Sequence, residues 1–288
     1  MPDLKRIDLH VHSTGSDGTY TPTQLVALAQ ESGLGAFALT DHDSISGVRE
    51  AVYAACGTNV EIVPGLELSC EYQGKEIHML GFYIDPEDET LQKQLDTFRY
   101  LREERNKKMV SLLAAEGFDI TYDALLAENP DRIITRGNIA KYLVDHGCVK
   151  SRKLVFDRYL GDDCRCFVPR DKISATDAIR LIHGAKGAAF LAHPLRYHMS
   201  LENVRKFLFF LKDFGLDGVE AIYTSHQPGD ERNLKSIARD ADLMISGGSD
   251  FHGDNKPQIR MGYGAGKLFV PYEILLPIRN RADRISET

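Results

Sequence analysis

The sequence predicts an α/β fold of repeated strand–helix units interrupted by a helical block, and three observations carry that expectation. Short apolar runs alternate with helical stretches at both ends of the chain; most runs are apolar at successive positions; and residues 88–167 read as helix with no obvious strand. Runs apolar on both faces suit a parallel sheet covered by helices, whereas strict alternation would mark a sheet with one wet face. Repeated βα units over 288 residues favour a barrel or a doubly wound sheet.

The elements follow in order. Residues 6–11 read as a strand. Thr21-Pro22 then supplies an N-cap followed by proline in the first helical turn. The helix it starts turns Leu25, Val26, Leu28 and Ala29 to a core and stops at Gly33. Residues 36–39 form a second strand, followed by a helix over about 46–55. Residues 60–63, 67–72 and 77–84 are β-like and close together, so the first half reads β-α-β-α-β-β-β. The helical block holds a long charged helix, 89–116, and shorter ones near 122–127, 136–145 and 151–160. From about Ser174 the alternation resumes, with helices 175–185, 201–214 and 231–241 leading to strands 188–192, 218–222 and 243–246. The expected domains are an α/β body, residues 1–87 with 168–288, and a helical insert, residues 88–167, capping its site.

Composition narrows the partners. A net charge of −7 argues against a broad electrostatic grip on duplex DNA, while leaving room for a local basic pocket. Five cysteines include no CxxC pair, and no secretory signal opens the chain, so reduced thiols in the cytoplasm are expected. Cys164-Arg165-Cys166 lacks the further ligands of a closed zinc site. No apolar run approaches the roughly 20 residues of a membrane span, so no membrane partner is expected. The stretch 99–108 mixes charge signs at helical spacing and reads as a solvated helix face.

The chemistry lies in the histidines. In Asp8-Leu9-His10-Val11-His12 the alternation of a strand puts His10 and His12 on one side, where both rings can reach one cation at about 2.0–2.1 Å. Asp8 shares that face and could orient a histidine ring. Ser249-Asp250-Phe251-His252 offers a second carboxylate–histidine pair, and between the two lie Thr40-Asp41-His42, Glu67, His78 and Ala192-His193-Pro194. These residues fall mostly at or just past the C-terminal ends of strands, the edge on which parallel α/β folds build active sites. A single histidine at a strand end is usually a hydrogen-bonded structural group, and His146, His183, His198 and His226 are read in that way. Six such residues on one edge exceed coincidence, and their ligand atoms exceed what one ion can use. The expectation is a multinuclear, hydrolytic metal site.

Arginine is the natural companion for a phosphate ester, because its planar fork grips two oxygens at once. Arg136 starts a helix, where backbone N–H groups also favour an anion, and Arg196 follows His193 by three residues. Tyr197 and Tyr223 could stack on a base or simply pack. Gly247-Gly248 reads as a tight turn from strand to loop.

The ordered set of His10, His12, Asp17-Gly18, Asp41-His42, Glu67, His78, His193-Pro194 and Asp250-Phe251-His252 resembles the PHP (polymerase and histidinol phosphatase) family of metal-dependent phosphoesterases. The resemblance implies a distorted (βα)7 barrel. Thr135-Arg136-Gly137, Arg158-Tyr159-Leu160, His193-Pro194-Leu195-Arg196-Tyr197 and the glycine before Ser249 are similar to one branch in particular. That branch hydrolyses nucleoside 3′,5′-bisphosphates and trims 5′ ends of short RNA; Asn138 stands where some relatives carry histidine.

Carried over, the resemblance implies three divalent ions of Mn, Fe or Zn. His10, His12, Glu67 and Asp250 would hold the first. Glu67, His78 and His193 would hold the second, and Asp17, His42 and His252 the third. Asp17-Gly18 alone reads as a turn. The implied reaction is release of a 3′-phosphate by metal-activated hydroxide, with Arg136, Arg196 and His193 in catalytic roles. Arg136, Arg196 and Tyr197 would bind the substrate, a small phosphorylated nucleotide or short RNA. The alternatives are a phosphatase of another small phosphomonoester, such as histidinol phosphate, and a non-catalytic nucleotide-binding module.

Overall fold

β1, Arg6–Val11, is buried from Ile7 onward, as a strand covered on both faces must be. α1, Pro22–Glu31, starts at a capping box: Thr21 Oγ1 accepts the Gln24 N–H, and Gln24 Oε1 accepts the Thr21 N–H at 2.8 Å. The helix ends at Ser32, with Gly33 beyond it at a φ of +67°. β2, Leu34–Leu39, is wholly buried and parallel to β1, and α2, Val48–Ala54, covers it. The computed structural model to which these elements belong describes residues 5–128, 133–162, 164–169 and 171–286.

Where two strands were expected, one long strand forms. β3, Glu61–Tyr72, runs parallel to β2 from Glu61 to Pro64, then leaves it and pairs with β4, Lys75–Phe82, from Gly65 to Tyr72. Gln73 and Gly74 join β3 to β4 with φ values of +50° and +74°, the left-handed pair that a two-residue hairpin turn requires. β4 is therefore antiparallel to β3, and its beginning lies on the sheet edge where its neighbours end. This reversal departs from the all-parallel expectation and brings His78 to the functional edge.

The chain divides into two units, residues 1–93 with 172–288 and residues 94–171. α3, Glu89–Ala115, leads from the first into the second, which continues with α4, Tyr122–Ala127, α5, Arg136–Asp145, and α6, Arg152–Val155. A π-helical turn, Phe156–Leu160, follows. This unit has its own core, in which Met109, Leu113, Ile139, Leu143, Val155 and Leu160 pack together.

Back in the first unit, β5, Ile173–Ser174, pairs with β3, and α7, Ala175–Gly184, leads to β6, Ala188–Leu191. α8, Leu201–Asp213, precedes β7, Gly218–Tyr223, and α9, Pro228–Asp240, precedes β8, Met244–Gly248. β9, Val270–Pro271, pairs antiparallel with β1, and α10, Leu275–Ser286, closes the chain's described part. Neither β9 nor α10 was expected from the sequence; Leu275 and Ile278 of α10 enter the core.

The sheet order is β8-β7-β6-β4-β3-β2-β1-β9, and beyond β8 the chain returns to β1. His12 N–H donates to Phe251 O at 3.0 Å, and Val11 bridges Phe251. Gly248 makes the approach feasible, since a Cβ there would overlap the backbone and Cβ of His10. The result is a nearly closed, mixed barrel of the distorted kind expected. Its core includes Ile7, Leu9, Ala36, Ala38, Leu80, Phe82 and Phe190, while Phe37 and Leu39 on the opposite face of β2 meet Leu25 and Val26 of α1. Among the described residues no helix is long and apolar enough to cross a membrane.

Candidate metal centre

His10, in β1, and His12, one residue past its end, both face Glu67 Oε2, and both are fully buried. Glu67 is carried to them by the backbone just past β2: its N–H donates to Asp41 O at 3.0 Å, and its own carbonyl accepts the Asp43 N–H at 2.9 Å. Glu67 faces Leu80 across the hairpin and His78 faces Ser69, so Glu67 and His78 share one face of the ribbon. His193 and Asp250 stand just past β6 and β8, with φ values of +25° and +56°. Left-handed backbone at two non-glycine residues is costly, and such strain gathers at functional sites.

The Glu67 carboxylate is the hub. Its Oε1 lies 2.8 Å from His78 Nδ1 and 2.9 Å from His193 Nε2. Its Oε2 lies 3.3 Å from Nε2 of both His10 and His12, and 3.0 Å from His42 Nδ1. Asp250 Oδ1 faces the same two rings, at 3.4 Å from His12 and 3.7 Å from His10. Asp17 Oδ1 lies 3.2 Å from His252 Nε2, 3.9 Å from His12 Nδ1 and 4.0 Å from His42 Nε2. Among the described residues, ligand atoms close enough to share an ion form three groups: His10, His12 and Glu67; His42, Glu67 and His78; and His12, Asp17, His42 and His252. His12, His42 and Glu67 each belong to two of them.

The donor set fits a cation. His10 Nε2, both ring nitrogens of His12, Asp17 Oδ1, His42 Nδ1, Glu67 Oε2 and His193 Nδ1 are buried and make no hydrogen bond. Polar atoms so placed cost free energy unless something partners them, and a divalent ion is the group that suits imidazole mixed with carboxylate. Burial alone would raise the carboxyl groups of Glu67, Asp17 and Asp250. His42 and His78 beside Glu67, His252 and His42 beside Asp17, and Lys256 and His252 beside Asp250 hold all three well below the usual range. Burial, with His12 next to it, pushes His252 down to about 4. These groups therefore meet a cation deprotonated.

Two carboxylates near the cluster serve the scaffold. Asp41 accepts the Ser13 N–H at 2.8 Å and both the Ser13 and Ser16 hydroxyls, at 2.5 and 2.6 Å, which shapes the loop that presents Asp17. Asp8 accepts the Ser249 N–H at 2.8 Å, the Ser249 hydroxyl at 2.5 Å and the Gly262 N–H at 2.7 Å. It takes the backbone N–H of His10, not its ring, so the expected orienting role falls elsewhere. The ring is held by Glu220, whose Oε1 lies 2.9 Å from His10 Nδ1.

The expected substrate residues are placed as follows. Arg196 Nη1 donates to Tyr223 Oη at 3.2 Å, and Tyr223 Oη donates to Asp250 Oδ2 at 2.7 Å. Tyr197 is buried; its hydroxyl accepts the His78 N–H at 2.9 Å and donates to Ala192 O at 2.8 Å, so it braces the strand that carries His78. Arg136 lies in the other unit, where Nη1 donates to Asp162 Oδ1 at 2.8 Å and to Leu160 O at 3.2 Å. The N–H groups of Gly137 and Asn138 are already capped by Thr135, with Asn138 Oδ1 returning the bond to Thr135 N–H at 2.8 Å. Asn138 is thus a capping residue. Sequence reasoning missed Glu220 and Lys256, whose Nζ lies 2.7 Å from Asp250 Oδ2. Glu220 left a signal as the one charged residue in the buried strand Gly-Val-Glu-Ala-Ile-Tyr.

Comparison with known proteins agrees with this geometry. The PHP domain family matches residues 8–136. A 5′-3′ exoribonuclease of Haemophilus influenzae is 38% identical over 86% of this chain and 90% of its own length. The chain belongs to the PHP family. A second relative, the 3′,5′-nucleoside bisphosphate phosphatase of Chromobacterium violaceum, is 35% identical over 86% of this chain and 88% of its own length. The structure of a Bifidobacterium adolescentis protein inferred to be a metal-dependent phosphoesterase superposes with a TM-score of 0.86 at 31% identity, covering 98% of both chains. This PHP protein is a metal-dependent phosphoester hydrolase.

Proposed function

We propose that this enzyme removes the 3′-phosphate of nucleoside 3′,5′-bisphosphates, with 5′-end trimming of short RNA as a related activity. The observation that carries the metal part of this reading is the set of buried ring nitrogens and carboxylate oxygens, without hydrogen bonds, gathered around Glu67. The names of the relatives in Haemophilus influenzae and Chromobacterium violaceum support the substrate part.

In this proposal three divalent ions of Mn, Fe or Zn are held by His10, His12, Glu67 and Asp250, by Glu67, His78 and His193, and by Asp17, His42 and His252. When bound, they neutralise phosphate oxygens and lower the pKa of a water toward neutrality. Glu67 presents one oxygen to each of the first two groups, which fixes their spacing. Arg196, beside Tyr223 on the Asp250 side, takes oxygens of the phosphate to be cleaved. Arg136 is proposed to bind the second phosphate of the substrate. His193 shares Glu67 with His78 and keeps Nδ1 free of hydrogen bonds. A cytoplasmic location belongs to the same reading and suits five free cysteines.

The test is phosphate release from adenosine 3′,5′-bisphosphate by metal-loaded enzyme. The reading expects turnover with Mn²⁺ and little with a simple phosphomonoester. Inactivity on the bisphosphate with Mn²⁺, Fe²⁺ and Zn²⁺ alike would sink the substrate assignment; equal turnover of both would favour a general phosphomonoesterase.

A further inference from the structure

Glu220 lies in the middle of β7 and is fully buried, with 0% of its surface exposed. A carboxylate in such a place is costly unless strong hydrogen bonds compensate it. Both of its oxygens are engaged. Oε1 lies 2.9 Å from His10 Nδ1, and Oε2 accepts the backbone N–H of His193 at 2.7 Å. One side chain thereby holds two candidate ligands from different strands: the ring of His10 on β1, and the backbone of His193 in the left-handed turn past β6. The two imidazoles lie nearly parallel, with centroids 5.6 Å apart.

The arrangement fixes a tautomer as well as a position. With Glu220 at Nδ1, the His10 proton belongs on Nδ1, and the Nε2 lone pair faces Glu67 Oε2 at 3.3 Å and Asp250 Oδ1 at 3.7 Å. We propose that Glu220 is a positioning residue that clamps His10 and His193 in register for two neighbouring metal ions. It acts on ligands and not as one: its oxygens face the His10 Nδ1 and the His193 N–H. The inference rests on the metal assignment proposed above.

Glu220→Gln tests it, since an amide keeps the shape but offers one acceptor where two are used. Its NH₂ must face either the His10 Nδ1–H or the His193 N–H, and that contact fails. The experiment is Mn²⁺ binding to the chelator-stripped full chain, followed through the EPR signal of free Mn²⁺. Thermal unfolding in EDTA checks the fold. In E220Q we expect affinity for the ions bordered by His10 and His193 to fall by about 10–100-fold, the usual scale for such supporting carboxylates. The group of Asp17, His42 and His252 should keep its wild-type affinity.

E220Q that binds every Mn²⁺ as tightly as wild type would overturn the proposal, even if its stability fell. Wild-type protein that binds no Mn²⁺ would remove the metal assignment and the clamp with it. Should E220Q fail to fold, ¹⁵N-histidine spectra of Zn²⁺-loaded wild type decide the matter. His10 protonated at Nδ1, with Nε2 shifted by the metal, is expected; His10 protonated at Nε2 would overturn the proposal.

Discussion

Asp250 Oδ2 lies 2.7 Å from Lys256 Nζ, so the carboxylate is split between two tasks. Tyr223 occupies the same oxygen, while Oδ1 turns to His10 and His12. Although burial opposes the charge, Lys256 and His252 hold the group ionised far below neutrality. Asp250 arrives from the far end of the chain already oriented to accept a cation on one side only.

Asp250→Asn should therefore cost one bound Mn²⁺ and lower turnover of the bisphosphate by about a hundredfold or more, the scale on which a fixed charge acts in a dry site. Thermal stability in EDTA should fall, because the amide keeps the shape but removes the charge that Lys256 and His12 face, while circular dichroism should show the fold retained. Metal counting by mass spectrometry and phosphate release check both; near-normal activity with full metal content would refute the ligand role.

Metal binding should release protons. Burial alone would lower the imidazoles, but Asp250 and Glu67 beside His12, and Glu67 beside His78, raise them to about 9 and about 10 in the metal-free protein. Both values lie above the ordinary 6.5, so at pH 7 each ring carries a proton that a cation must displace. Mn²⁺ affinity should rise as the pH climbs toward 9, and the calorimetric enthalpy at pH 7 should vary with the buffer's ionisation enthalpy. In the metal-free protein these imidazolium–carboxylate pairs contribute fully below pH 6.5, and the contribution is lost as the pH rises through about 9 and 10. Affinity flat between pH 6.5 and 9 would contradict this.

Gly248→Ala should destabilise the barrel where β8 meets β1. The added methyl would overlap His10 N and Cβ, which are backbone or close to it and cannot swing away. Overpacking of this kind costs about 1–3 kcal/mol or more. Urea unfolding in EDTA should show that loss, with weaker Mn²⁺ binding alongside; unchanged stability would mean that β1 and β8 separate freely.

Arg136→Ala should raise KM for adenosine 3′,5′-bisphosphate and leave hydrolysis of 4-nitrophenyl phosphate nearly unchanged, if the guanidinium grips the second phosphate. Equal losses on both substrates would assign Arg136 to its contacts with Asp162 and Leu160 instead.

Local signals made much of this fold and site legible. Thr21-Pro22 and Gly33 bound the first helix as caps should, because helix termini are set by residues within a turn of them. His10 and His12 follow from the two-residue period of a strand. What stayed hidden depends on partners far along the chain. Hydrophobic periodicity carries no strand direction, so the reversal of β4, and with it the route by which His78 arrives, was not readable. Asp8 and Asp41 are carboxylates beside histidines, and their hydrogen bonds to Ser249 and Ser13 separate them from ligands only once the chain has folded. Glu220 was visible as a charge in an apolar strand, but its partners lie 210 and 27 residues away.

The most direct measurement is anomalous diffraction from crystals grown with Mn²⁺. The account predicts difference peaks bounded by His10, His12, Glu67 and Asp250, by Glu67, His78 and His193, and by Asp17, His42 and His252. A crystal saturated with Mn²⁺ that shows no peak within coordination distance of Glu67 would contradict it.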